Sequence, residues 1–166
     1  VHIDFSALPQ FLAIIFTVIP FVHGMNRHID DSLSITKTSK LRVALLFDFA
    51  IFMLEACVFF LLAVSVRARS DTLGPVKWLL ALLVIDIVWA VATRLIRGAV
   101  AWSWPVINTV ASLLLLVLMA VPFADPAWTF RILALIAVLR TAADYWWGRE
   151  FYFPTPNQGM HPTAAN

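Results

Sequence analysis

An apolar run from Leu41 to Val66 leaves this chain few ways to fold. In LRVALLFDFAIFMLEACVFFLLAVSVR, residues 41–67, Asp48 and Glu55 are the only ionisable carboxyl groups between the flanking arginines. As a helix rising 1.5 Å per residue, the run is long enough to cross the roughly 30 Å hydrocarbon core of a bilayer. Four comparable segments accompany it, at about 5–23, 76–95, 104–121 and 128–147. A soluble domain of this size has too small an interior to hide five such segments. Their apolar residues run continuously instead of alternating, which argues against a transmembrane β-barrel. Composition agrees: 61% of residues are hydrophobic and 13% charged, where a soluble domain carries about a quarter charged residues. The expected fold is all-α, a polytopic membrane bundle of about five transmembrane helices within residues 1–153. Four spans plus an interfacial helix is the alternative. Residues 154–166 form a polar tail expected to be disordered. Neither an internal repeat nor a second domain is evident.

Local signals set the expected boundaries. Ser6 can N-cap the first helix with Pro9 in its first turn, while Pro20 should bend or end it. The start, VHIDFSALP, has no Lys or Arg ahead of the apolar run, so the segment reads as a retained helix and not as a signal peptide. Residues 24–40 form a polar, partly helical connection. ARSDTLGP and PFADP carry ordinary turn chemistry. Arg131, Arg140 and Asp144 interrupt the fifth segment. A helix lying on the membrane surface would gather its polar residues on one wide face. This one does not, and Trp128 and the pair Trp146 and Trp147 sit at its ends as interfacial tryptophans do.

Net charge is +2 with the histidines neutral, and the twelve Lys and Arg residues fall near helix ends. No basic stripe forms, so a nucleic-acid partner is not expected. Placing the first connection in the cytoplasm collects Arg27, Lys37, Lys40, Arg42, Arg94, Arg97 and Arg149 on that side. Arg67, Arg69, Lys77 and Arg131 fall opposite or near it. The basic excess predicts a multi-pass protein of the inner (plasma) membrane, with its N-terminus out and its C-terminus cytoplasmic. One cysteine, Cys57, allows neither an internal disulfide nor a thiolate metal cluster. His23 and His28 lie five residues apart, and no opposing segment offers a second imidazole for haem. The Glu-x-x-His spacing of a di-iron bundle, a G-x-S-x-G turn and a phosphate-binding glycine loop are all missing. No cofactor or metal is expected, and catalysis is not the leading reading.

The buried charges carry what functional signal there is. Asp48, Phe52, Glu55 and Phe59 share one helix face by their three-and-four spacing, and Asp86, Trp89, Ala90, Thr93 and Arg97 make a similar stripe. His23, Arg94, Asn108, Arg140 and Asp144 approach the same layer, so polar groups from all five segments gather in the cytoplasmic half. An ionisable side chain at such depth costs about 2.5–3.5 kcal/mol, so these groups should face the bundle and find partners. Depth and charge favour an Asp48–Arg140 ion pair. Glu55 and Asp86, with no base expected at their level, read as proton- or cation-binding groups, with Thr93 as a hydrogen-bonding neighbour. The function expected from this layer is proton- or cation-linked transport through a site open to the cytoplasm. A homo-oligomer or a membrane-complex partner would supply the missing wall. The alternatives are a non-catalytic accessory or assembly subunit, whose buried charges serve partner helices, and a lipid- or quinone-handling enzyme using Trp89, Trp102 and Trp104.

Overall fold

The computed structural model describes residues 8–34, 39–67, 73–97, 102–121 and 126–153. The expected N-cap Ser6, residues 68–72 and 122–125 of the two turn segments and the tail 154–166 lie outside the described residues, as do the side chains of His28, Lys40, Arg42 and Arg97. Every element among the described residues is an α-helix: α1 Leu8–Ser34, α2 Ser39–Arg67, α3 Leu73–Arg97, α4 Ser103–Ala120, α5 Pro126–Trp147 and the short α6 Arg149–Tyr152. Prolines mark the helix starts, with Pro9, Pro75, Pro105 and Pro126 all in first turns, where the missing N–H would have no intrahelical acceptor.

Four helices contain stretches long and apolar enough to cross a membrane: Leu8–Asn26, Leu45–Arg67, Leu73–Leu95 and Ser103–Ala120. The architecture is that of an all-α integral membrane protein. Large apolar side chains stay on the outside, as a lipid surroundings requires; Leu46, Phe49 and Phe60 on α2 are each more than 60% exposed. Helix α5, interrupted by its three charges, is not in that set of four. It is nonetheless packed lengthwise against α1 and α4, and it buries Phe130, Leu133, Ala137, Arg140 and Asp144. The neighbour order runs α2–α3–α4–α5–α1, and a lighter contact between α1 and α2 closes the ring. Phe21 and Phe59 make part of that closure, edge to face at 5.3 Å.

Pro20 does not end α1, which continues through it to Ser34. A proline at this position cannot donate to the carbonyl four residues back, that of Phe16. The Thr141 hydroxyl of α5 donates to that carbonyl instead. Such replacement by a neighbouring helix is how membrane helices tolerate an internal proline. One end of the bundle is filled by apolar packing that includes Val58, Leu62, Leu79, Leu83, Leu115 and Leu133. The other end holds the charges.

Candidate functional site

The site assembles where the middles of α2 and α3 meet the C-terminal parts of α1 and α5 and the N-terminal part of α4. Arg140 is its centre. The guanidinium is almost fully buried and forms ion pairs with Asp86 of α3 (Nη2 to Oδ2, 3.8 Å) and Asp144 of α5 (Nη1 to Oδ2, 3.6 Å). Its Nε donates to Asn108 Oδ1 at 2.9 Å, while Asn108 Nδ2 donates to Asp86 Oδ2. Asn108 thus offers its acceptor to the cation and its donor to the anion. That polarity fixes the amide orientation and ties α3, α4 and α5 together.

The network continues toward the polar end of the bundle. Tyr152 Oη donates to Asp144 Oδ2 at 2.9 Å, so α6 is clamped onto α5 by a buried hydrogen bond. Burial first, then the charge of Asp144 and the hydrogen bond to it, hold the Tyr152 phenol well above its ordinary titration range. His23 Nδ1 shares a 3.0 Å hydrogen bond with Tyr145 Oη, and its ring lies 4.8 Å from that of Tyr152. Arg140 also sits over the Phe21 ring, 5.0 Å from its centroid.

The acids of α2 occupy two separate environments. Asp48 accepts a 3.0 Å hydrogen bond from Trp89 Nε1, and the Trp89 ring meets Trp104 edge to face at 5.8 Å. Glu55 is buried, interacts electrostatically with Asp86 and Arg140, and shares with them the wall of a cavity of about 10 Å³. Phe52, Trp89 and Trp104 complete much of that wall. A larger groove of about 280 Å³ opens between α4 and α5, lined almost wholly by apolar side chains such as Val110, Leu114, Leu139 and Trp147, with Arg140 among them.

The structure brings Asp86, Asn108, Arg140 and Asp144 together, with Glu55 beside them. It does not join Asp48 to Arg140, and the ion pair expected between them is replaced by Arg140 with Asp86 and Asp144. The reason lies in depth along α2: Glu55 is its acid at the level of Arg140, while Asp48, two turns away, accepts from Trp89. The expectation that Asp86 lacks a base at its level fails with it. Thr93 is buried two turns beyond Asp86 on the same stripe, and the donor to Asp86 is Asn108. Arg94 is half-buried, with its guanidinium 5.5 Å from the Trp102 ring. Tyr152 escaped the reading of the sequence. Its spacing of eight residues from Asp144 was the available signal. No group of three or more metal-ligating side chains occurs among the described residues. No protein-family model matches this chain, and neither the curated proteins nor the solved structures yield a match.

Proposed function

We propose that this protein spans the membrane five times and exchanges protons through its buried polar layer, in the service of proton-linked transport. The observation carrying this reading is that one guanidinium, Arg140, stands among three buried carboxyl groups, Glu55, Asp86 and Asp144. In so poorly solvated an interior, charge balance calls for protons on the surplus carboxyl groups. Arginine keeps its proton, so Arg140 anchors the cluster and the carboxyl groups do the exchanging. His23, Tyr145 and Tyr152 lie between the cluster and the polar end of the bundle, which the basic residues of the sequence assign to the cytoplasm. The central packing of α5 against α1 and α4 supports its being the fifth span.

One chain supplies half of a path. Beyond Glu55 and Asp86 the interior is mainly apolar, with only the hydroxyls of Thr17, Ser112 and Thr129 among the buried polar groups of the described residues there, so flux through the whole membrane requires a second copy or another subunit against the exposed face of α2. The same closed packing favours a second reading, in which the protein is an accessory subunit whose buried charges rigidify a partner-binding surface. Purified protein in liposomes separates the two. Under an imposed potential, an internal pH dye should report proton entry that rises with protein density. Glu55→Gln and Asp86→Asn should each abolish it while helicity and monodispersity persist. Wild-type liposomes that stay proton-tight at every density would overturn the transport reading and leave the accessory one.

A further inference from the structure

The cavity bounded by Glu55, Asp86, Trp89, Trp104 and Arg140 combines a size and a chemistry that together select one occupant. Its volume of about 10 Å³ is near the minimum that holds a single water. Two of its lining residues carry a buried N–H with no hydrogen-bond acceptor: Trp104 Nε1, and Arg140 Nη1, whose 3.6 Å ion pair with Asp144 is too long to be a hydrogen bond. Two others, Glu55 and Asp86, carry carboxyl oxygens, and no hydrogen bond reaches Glu55 among the described residues. A monatomic cation asks for a shell of oxygens and would face a guanidinium and an indole N–H here. An anion would face two carboxyl groups. Water, which donates twice and accepts twice, satisfies all four.

We propose that this cavity is an ordered-water site: one water accepts from Trp104 Nε1 and Arg140 Nη1 and donates to the carboxyl groups of Glu55 and Asp86. Buried groups left without partners are rare in folded proteins, and internal water is the usual remedy where a polar cavity has two to four partners to offer. The water gives Glu55, which interacts with Asp86 and Arg140 only electrostatically, a hydrogen-bonded link to the cluster. Proton exchange between the two acids then balances at the bridge. When one of the two acids is protonated, its O–H takes the place of the Trp104 N–H at the water oxygen; that proton passes to the water as the water gives one of its own to the other carboxylate, and the water is regenerated. The mechanistic weight of this bridge rests on the proton-exchange reading above, but the site itself does not.

Infrared difference spectroscopy of the reconstituted full chain tests it. The carboxyl C=O band that disappears in Glu55→Gln identifies Glu55. Water enriched in ¹⁸O should shift a discrete O–H stretching band of the wild type to lower frequency. Trp104→Phe, which removes one donor and keeps an aromatic ring, should abolish that O–H band and move the Glu55 band. Should Trp104→Phe fail to fold, Glu55→Gln serves instead: its amide keeps an acceptor in the cavity, so the ¹⁸O-sensitive band should persist at a changed frequency. Absence of any discrete ¹⁸O-sensitive band in wild type, or a band indifferent to both substitutions, overturns the site. A band behaving as expected in protein that conducts no protons would sink the transport reading and leave the water where it is.

Discussion

The two halves of the bundle are built on the same helices and the same inward faces, yet they solve opposite problems. Glu55, Asp86, Asn108 and Arg140 each have a buried leucine seven residues away toward the other end: Leu62, Leu79, Leu115 and Leu133. Two helical turns, about 10 Å, separate a charged layer from a layer of leucines on all four helices. Apolar side chains gain little by leaving lipid for protein, because lipid tails are equally apolar, so the leucine layer is held by shape and dispersion. The charged layer is held because its members have nowhere else to go. Adhesion in one half is diffuse and tolerant, while in the other it is directional and depends on every partner being present.

That contrast can be broken by experiment. The largest effect is expected from Arg140→Met, which strands the carboxyl groups around it and should cost about 3–5 kcal/mol, read from unfolding equilibria in mixed SDS micelles. Adding Asp86→Leu should recover part of the loss, because the orphaned charge goes with it. Leu115→Ala, two turns from Asn108, should cost only about 1–2 kcal/mol, a cavity cost with little transfer cost behind it. If the leucine variant proves the worse of the two, the contrast between the halves is wrong.

Tyr152 sharpens the comparison at the edge of the charged layer. Its phenol titrates above the ordinary range because burial and Asp144 disfavour the phenolate. A folded-state value raised above the unfolded one contributes stability that is fully present below about pH 10 and declines as pH climbs beyond it. Tyr152→Phe should lower stability by about 1 kcal/mol at neutral pH and flatten the alkaline decline. An unchanged alkaline slope would detach Tyr152 from the network. The smallest effect is expected at Cys57, the one cysteine of the chain. It is exposed two residues from buried Glu55. A nitroxide attached there should change stability by less than about 0.5 kcal/mol. Its signal should relax with dissolved oxygen, which concentrates in the bilayer, and ignore a water-soluble nickel complex. The reverse pattern would place this face of α2 in water.

Much of this arrangement is legible in the sequence because helical spacing is local. Asp48, Glu55, Asp86 and Thr93 fall on the faces that their three-and-four rhythm assigns, and the layer at one end follows from counting residues along each segment. Which helices stand side by side is a different kind of fact. Asp48 and Asp86 are equal as charges for Arg140, and what decides between them is which acid the assembled ring of helices brings level with the guanidinium: Asp86 pairs with it, while Asp48 is held by Trp89. The reach of a long arginine stem also blurs any depth counted from Cα positions. Asn108 was visible as a polar residue in the layer, but its role as a two-faced bridge depends on side chains from α3 and α5 arriving together. Pro20 misleads for a similar reason. The rule that proline stops a helix presumes no outside hydroxyl, and Thr141 is 121 positions further along the chain.

That hydroxyl has a consequence for the charge layer. A carbonyl freed by a ring nitrogen points one way only, so satisfying it from α5 sets both the axial register and the rotation of α5 against α1. Arg140 is the residue immediately before Thr141, and its bearing is fixed by the same fastening. An imino acid in the first helix thereby serves as the alignment pin for a cation in the fifth.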